Sequence, residues 1–181
     1  DKGFCDVVLE GQVSATSSYV RNTGILETVL IASNGASVKV TDFAPRFPRY
    51  GRSFHPTQLI RRIEPLSGLP RIVCRVRPAF DYGRAAAAPS QGSNHIRYAA
   101  GATPIRVTTD LAVSYIVHET PFALTHPVTL VMGGDEPIES SIDAMSREFL
   151  ERTREYWVSW VRGLAISYEW QPDVIRAAIS L

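Results

Sequence analysis

Four histidines are the residues best suited to bind a metal ion, and they are spread along the chain at His55, His95, His118 and His126. A zinc site needs histidines or cysteines at short, regular spacings. None of the four has a second histidine or cysteine at such a spacing, and His118-Glu119 lacks the second histidine of a zinc-protease helix. The sequence therefore predicts no metal site.

Nucleophilic side chains are no better placed. No serine lies in a Gly-x-Ser-x-Gly context, and Gly133-Gly134 is not part of a phosphate-binding glycine loop. Cys5 and Cys74 lie in apolar, strand-like runs without the neighbouring charge that activates a thiol. We interpret them as buried free thiols, although the sequence leaves a disulfide between them open. No catalytic residue and no cofactor-binding residue is predicted.

Two aspartates, Asp42 and Asp81, stand beside aromatic residues in strand-like sequence. Two carboxyl groups about 6 to 9 Å apart could hydrolyse a glycoside with inversion, one as general acid and one as general base. Spacing along the chain does not show that these two converge. Strand-end aspartates more often bind backbone N–H groups or pair with an arginine such as Arg84. A structural role is therefore favoured, and a compact glycosidase built on this pair is the weakest hypothesis.

Five aromatic residues lie near the C-terminus: Tyr156, Trp157, Trp160, Tyr168 and Trp170. Such rings could stack on sugars. Tyr156 and Trp160, however, are four residues apart and share one face of an amphipathic helix. Packing against the fold or an adjoining domain is the favoured interpretation.

The composition limits the partners that we expect. A chain of 181 residues, 45% hydrophobic and 20% charged, suits one well-cored domain or a domain with an appendage. The net charge of +1 gives no reason to expect nucleic acid or an anionic membrane. Arg75 and Arg77 alternate on one strand face, which we interpret as solvated. No apolar run approaches the roughly 20 residues of a membrane span, and no signal peptide is visible. The compartment stays undetermined, with the cytoplasm favoured.

Short apolar runs separated by turn residues predict an antiparallel β-sandwich over residues 1–134. The firmest hairpin joins Ile25–Ala32 to Ser37–Phe43 across Asn34-Gly35, which suits a type I′ turn. A second hairpin is expected between Gln58–Pro65 and Arg71–Phe80.

Other parts of this region are predicted from the same signals. Pro45–Pro56, rich in arginine and aromatic residues, predicts an ordered loop packed on the sheet. Seven further stretches are expected as strands: Phe4–Leu9, Val13–Val20, His95–Ala100, Pro104–Thr109, Leu111–His118, Pro121–Leu124 and Val128–Met132.

A helical period begins after Glu139. Five apolar residues recur at helical spacing, namely Ile142, Met145, Phe149, Tyr156 and Trp160. Ser140 and Asp143 resemble a capping box, and Gly163 is a natural end. We expect a helical linker over residues 135–171.

A second helix is predicted from Pro172, over residues 172–181. Its apolar stripe comprises Val174, Ile175, Ala178, Ile179 and Leu181. An apolar helix face needs a partner, so we expect the chain to be part of a longer protein. The same face leaves open a homodimer formed through this helix.

Six stretches of the chain resemble the N-terminal part of bacterial glycoside hydrolase family 15 proteins, the glucoamylase, glucodextranase and trehalase-like group. They are Ile25–Thr28 (ILET), Val40–Pro45 (VTDFAP), Leu59–Glu64 (LIRRIE), Arg77–Gly83 (RPAFDYG), Arg106–Asp110 (RVTTD) and Trp170–Ala178 (WQPDVIRAA). They follow the family order over nearly the whole chain. Ala44 is a departure, because many relatives have Met there.

The resemblance implies a β-supersandwich, a helical linker and an (α/α)6 catalytic barrel, of which residues 172–181 would be the first helix. Family members hydrolyse α-glucosidic bonds with inversion, using two glutamates of the barrel. The resemblance therefore gives no residue of this chain a catalytic role. It also implies that family sequence precedes Asp1.

The first hypothesis is that the chain is the non-catalytic sandwich of such a hydrolase, inactive alone. Its expected partners are its own C-terminal catalytic barrel and the α-glucan or trehalose substrate of the parent enzyme. The alternative is a free-standing carbohydrate-binding or protein-interaction module that uses aromatic residues of Phe47–Phe54.

Overall fold

The computed structural model of the protein describes residues 3–100, 103–166 and 169–180. Strands make up 43% of the chain and helices 22%, so the predicted class, a mainly β antiparallel sandwich followed by helices, is confirmed. Asp1, Tyr168 and Leu181, which the sequence interpretation used, lie outside the described residues. The boundaries at residues 134 and 171 stay predictions.

The described residues contain fifteen strands and three α-helices. The strands are β1 (Phe4–Leu9), β2 (Gln12–Tyr19), β3 (Leu26–Ala32), β4 (Ser37–Phe43), β5 (Phe47–Arg49), β6 (Arg52–Phe54), β7 (Gln58–Ser67), β8 (Arg71–Arg77), β9 (Ala79–Phe80), β10 (Ala85–Ala86), β11 (Pro89–Gln91), β12 (His95–Tyr98), β13 (Ile105–Thr109), β14 (Phe122–Ala123) and β15 (Val128–Gly133). The helices are α1 (Val113–Val117), α2 (Ile142–Arg162) and α3 (Gln171–Ser180), and Asp81–Gly83 forms a 3-10 turn.

The fold has three layers. An eight-stranded sheet in the order β11-β12-β13-β15-β7-β4-β3-β2 forms the middle. A three-stranded sheet in the order β1-β8-β14 covers one of its faces, and the strand pairs of both sheets are antiparallel. Helix α2 covers the opposite face.

Successive side chains of a strand point to opposite faces, so the strands of the middle sheet place apolar residues on both of its faces. On β4, Val38 and Val40 point into the sandwich core, whereas Phe43 packs beneath α2. On β7, Ile63 points into the core and Ile60 towards α2. A sheet covered on both sides needs this double set of apolar residues.

The predicted hairpin across Asn34-Gly35 is confirmed, but the predicted turn type is wrong. Of the two residues, only Gly35 has a positive φ, at 83°, whereas a type I′ turn requires two such residues. The N–H of Gly35 donates to the carbonyl of Ala32 (3.0 Å), and the Asn34 side chain accepts from the N–H of Ala36 (3.0 Å). The turn is therefore a type I turn followed by a left-handed glycine.

The second predicted hairpin is wrong. Strand β7 pairs with β4 and β15 in the large sheet, while β8 pairs with β1 and β14 in the small one. The connection through Gly68, with φ 64°, crosses from one sheet to the other. The first strand lies where it was expected, whereas the expected strand Arg71–Phe80 is divided into β8 and β9, and β9 pairs with β10.

The predicted strand Leu111–His118 is also wrong, because its centre forms α1. Val113, Ile116 and Val117 are spaced for one helical face, and all three pack against the sandwich core. Burial of this face outweighs the strand preference of β-branched residues.

Two smaller predictions need correction. Pro45–Pro56 is an ordered excursion, but it contains the short hairpin β5–β6. The N-cap of α2 is Ser141, whose side chain accepts from the N–H of Ala144 (3.4 Å), and not Ser140. The predicted end at Gly163 is confirmed as the C-cap.

Candidate functional site

The structure places the two candidate aspartates on separate elements. Asp42 lies on β4, and Arg61 of β7 binds it through two hydrogen bonds, Nε to Oδ1 at 2.7 Å and Nη2 to Oδ2 at 2.9 Å. Asp81 is exposed in the 3-10 turn, where its carbonyl accepts the N–H of Arg84 (3.1 Å). Asp42 therefore forms an ion pair, which is the structural role that the sequence favours. Its partner is Arg61 and not Arg84.

The cysteines are free and lie on the strand pair β1–β8. Burial raises the pKa of Cys74 to about 12, and raises that of Cys5 despite the opposing effect of Arg61. Nη1 of Arg61 donates to the carbonyl of Cys5 at 2.9 Å. Both cysteines are free, as predicted, but only Cys74 is buried while Cys5 is partly buried; neither thiol is activated as a nucleophile.

Possible metal ligands do not gather in the parts of the chain that the structure describes. No three side chains among His, Cys, Asp and Glu come together there. His95 contacts the side chain of Asn94 (3.3 Å) and His126 contacts that of Thr125 (3.0 Å), and both partners are sequence neighbours.

Surface arginines on β8 form ion pairs. Arg75 binds Asp6, and Nε of Arg77 lies 2.6 Å from Oε1 of Glu119. The Arg77 guanidinium lowers the pKa of Glu119. Both arginines are on one solvated strand face, as predicted.

A buried arginine fastens α2 to the middle sheet. Arg62 of β7 is 2% exposed, and its Nη1 donates to Oδ1 of Asp143 at 3.0 Å and to the hydroxyl of Ser146. Glu64, two residues along the strand, lies 3.6 Å from Nη2. The sheet thus presents a cation to two residues of the first turns of α2.

A partly desolvated aspartate at an exposed position, Asp110, lies near this anchor. Asp110 follows β13, and its Oδ1 accepts the N–H of Thr129 at 2.7 Å. Burial raises the pKa of Asp110, while the Thr129 N–H opposes that shift. This hydrogen bond ties the end of β13 to β15, which is a structural role.

Three phenylalanines join the β5–β6 hairpin to the middle of α2. The rings of Phe47 and Phe149 lie 5.0 Å apart, and Phe54 lies 5.0 Å from Phe47 and 5.5 Å from Phe149. The excursion therefore uses two of its aromatic residues for packing. Tyr50, 91% exposed, is its remaining aromatic residue.

The C-terminal half of α2 carries a cluster of aromatic rings. Arg46 donates to the hydroxyl of Tyr156 (3.1 Å), and its guanidinium lies 5.5 Å and 5.6 Å from the ring centres of Tyr156 and Trp157. Trp157 contacts Trp160 edge-on at 5.5 Å. Packing within the fold thus accounts for part of this group, whereas Trp170 is 75% exposed.

An open cavity of about 510 Å³ lies beside this cluster. It is lined by Phe47, Pro48, Arg152, Glu155, Tyr156, Ser159 and Trp160. Arg152 donates to the carbonyl of Pro48 (2.6 Å) and lies 4.1 Å from the ring centre of Phe47, so its charge is already engaged. The cavity thus combines the rings of Tyr156 and Trp160 with the carboxylate of Glu155 and the hydroxyl of Ser159. Such a surface suits a neutral polar ligand or the side chains of a helix that packs on it.

The sequence interpretation missed Arg62 and Arg46 as organising residues. Ile60 and Arg62 are two residues apart on β7 and therefore share the face that α2 covers. This spacing could have indicated that Arg62 is buried. The partners of Arg46 are 107 and 110 positions away, at Thr153 and Tyr156, and no local pattern indicates them.

Comparison with known proteins gives no relative, because no family model, no curated protein and no solved structure matches the chain. None of the helices in the described part of the chain has the length and apolar character needed to cross a membrane.

Proposed function

We propose that the chain is the non-catalytic sandwich and linker of an inverting α-glucoside hydrolase that resembles glycoside hydrolase family 15. Its role is to carry a helical catalytic barrel of the same protein. The six family-like stretches support this proposal. A β-sandwich followed by a long helix and a second helix is the order of elements that the resemblance implies.

One observation carries the supporting role. Helix α2 is fastened to the sheet through Arg62 and the phenylalanine cluster, yet the cavity beside Tyr156 and Trp160 is uncovered. A rigid helix that presents aromatic rings is suited to hold a neighbouring helical domain. In addition, Asp42 is occupied by Arg61 and so is not poised for acid–base chemistry.

A hydrolysis assay of the 181-residue chain tests the proposal. Trehalose, maltose and dextran should show no turnover, because the family places its catalytic glutamates in the barrel. Robust hydrolysis would overturn the proposal. In that case, loss of activity in Asp42→Asn and Asp81→Asn variants would identify the compact glycosidase, and retained activity would dismiss it.

The cavity also favours a second candidate, a carbohydrate-binding module. Its ligand would stack on Trp160 and Tyr156, since Phe47 and Phe54 are used in packing. Titration with maltose, trehalose and soluble dextran should then shift the tryptophan fluorescence. Trp160→Ala should remove the shift, and Trp170→Ala, which is outside the cavity, should retain it. No shift with any of the three sugars would reject this candidate.

A further inference from the structure

Strand β2 forms one end of the eight-stranded sheet, and its outer edge is open. It pairs with β3 alone among the described strands, and all eight residues of Gln12–Tyr19 are exposed. The exposed fraction is 67% for Val13 and 54% for Tyr19. Neither the small sheet nor α2 buries either face of this strand.

Apart from the irregularity between Gln12 and Ser14, the edge lacks the features that usually prevent strand pairing. Gln12–Tyr19 contains no charged residue and no proline. Edge strands in soluble proteins are commonly short, charged or interrupted by proline. The opposite end of the same sheet follows that rule, because β11 has three residues and begins at Pro89.

Charges at the two ends of β2 favour one direction for a pairing strand. Glu10 lies just before the strand and Arg21 shortly after it, both residues are exposed, and Glu10 also forms a 2.9 Å ion pair with Arg71. If a second copy runs antiparallel, the Glu10 end of each chain lies near the Arg21 end of the other. A parallel arrangement would bring like charges together. The strand is therefore complementary to itself in the antiparallel direction.

Geometry also limits the register. Only alternate residues of an edge strand direct their N–H and C=O groups outwards, so residues of the same parity must pair across a new antiparallel contact. In a symmetric pair, one residue then lies opposite itself. Within the regular part of β2, after the irregularity between Gln12 and Ser14, centring on Thr16 pairs Ser14 with Ser18 and Ala15 with Ser17. These side chains are small and uncharged, so they do not clash or repel.

We propose that β2 pairs antiparallel with β2 of a second copy, joining the two large sheets across a two-fold axis at Thr16. This interface differs from the helix-mediated homodimer that the sequence leaves open. It uses backbone hydrogen bonds along an uncharged edge, as in β-strand addition. The proposal does not depend on the proposed function.

Sedimentation velocity of the whole chain over roughly 1 to 200 µM tests the proposal, because micromolar affinities fall within this range. We expect a concentration-dependent monomer–dimer equilibrium. Thr16→Lys should weaken dimerisation by at least about tenfold, because it places two positive charges at the axis. Ser53→Lys is the matched control, an exposed serine in strand β6, and should leave the equilibrium unchanged.

A mixture of two variants tests the axis itself. Thr16→Lys and Thr16→Glu alone should each dimerise at least about tenfold more weakly than the wild type, and an equimolar mixture should form heterodimers, because opposite charges then meet at the two-fold axis. A wild-type chain that stays monomeric throughout would overturn the proposal. So would a dimer that Thr16→Lys leaves intact, or a mixture that fails to associate while both variants keep the wild-type circular dichroism.

Discussion

Cys74 shows how the interior of the sandwich changes the chemistry of one side chain. It is fully buried on β8, and burial is the largest cause of its raised pKa. The cation of Arg61 opposes this shift without cancelling it. Between about pH 9.0 and about 12, the folded protein therefore keeps a neutral thiol where an unfolded chain would hold a thiolate.

This difference predicts a loss of stability at alkaline pH. The pKa of Cys74 rises from an ordinary 9.0 to about 12 on folding, so the unfolded chain releases a proton that the folded chain retains. The contribution is fully present below pH 9.0 and is lost as the pH rises towards about 12. Urea unfolding at a series of alkaline pH values should show the free energy of unfolding falling with pH.

Cys74→Ala supplies the comparison for this prediction. Its slope against pH should be smaller than that of the wild type. Some slope should remain, because burial also raises the pKa of Tyr98, from 10.0 to about 12, with the same sign. Equal slopes in the two proteins would contradict the assignment to Cys74.

At the scale of elements, the contact between β7 and α2 depends on Arg62. Replacing it by Met keeps most of the side-chain volume but leaves Asp143 and Ser146 without their buried donor. We expect Arg62→Met to lower the free energy of unfolding by about 2 to 3 kcal/mol, measured by urea denaturation. The loss should stay below that of a fully buried pair, because the Asp143 side chain is 43% exposed.

Arg147→Met is the matched control, since Arg147 contacts the same Asp143 at 3.1 Å from within α2. The Arg147 side chain is 65% exposed, so its removal should cost less than about 0.5 kcal/mol. Similar decreases in the free energy of unfolding for Arg62→Met and Arg147→Met would show that the burial of Arg62 does not increase its contribution to stability.

Sequence patterns predicted most elements but not their pairing. Alternation on Gln58–Pro65 and Arg71–Phe80 locates two strands, yet it cannot tell a hairpin from a crossing between two sheets. The turn at Gly68 leads from the large sheet to the small one. Its direction depends on the packing of the two layers, which the local sequence does not show. In α1, burial of Ile116 in the core stabilises a helix although the β-branched residues of this segment favour a strand.

The sequence located some of the residues that line the cavity, but it favoured packing over ligand binding for them. Helical spacing in α2 located Tyr156 and Trp160 on an aromatic surface. The cavity beside them also needs Phe47 and Pro48, which come from the distant β5–β6 hairpin. No one-dimensional pattern brings those residues to the helix.

For the whole molecule, the three layers predict unequal effects of two truncations. A chain ending at Gly163 loses α3, whose anchors are Ile175, 8% exposed, and the 2.9 Å hydrogen bond from Arg176 to the carbonyl of Thr23. A chain ending at Pro137 also loses α2 and uncovers Phe43, Ile60 and Val131, which are 1%, 0% and 3% exposed.

Exposing each such residue costs about 1.5 to 3 kcal/mol, so together they approach the typical stability of a domain, about 5 to 15 kcal/mol. We expect cooperative thermal unfolding, followed by circular dichroism, from the longer chain and none from the shorter. A shorter chain that unfolds cooperatively would show that α2 is an accessory to the fold.

The pairing of β1 with β8 has a consequence for synthesis on the ribosome. Phe4 pairs with Arg77 and Leu9 with Ile72, so β1 emerges long before its partner exists. Until β8 follows, Val7, Leu9 and the thiol of Cys5 have no partner strand, and the small sheet can form only after β8 has been made. The two thiols are therefore most accessible to oxidants and chaperones in the nascent chain; in the folded sandwich Cys74 is buried and Cys5 is partly buried.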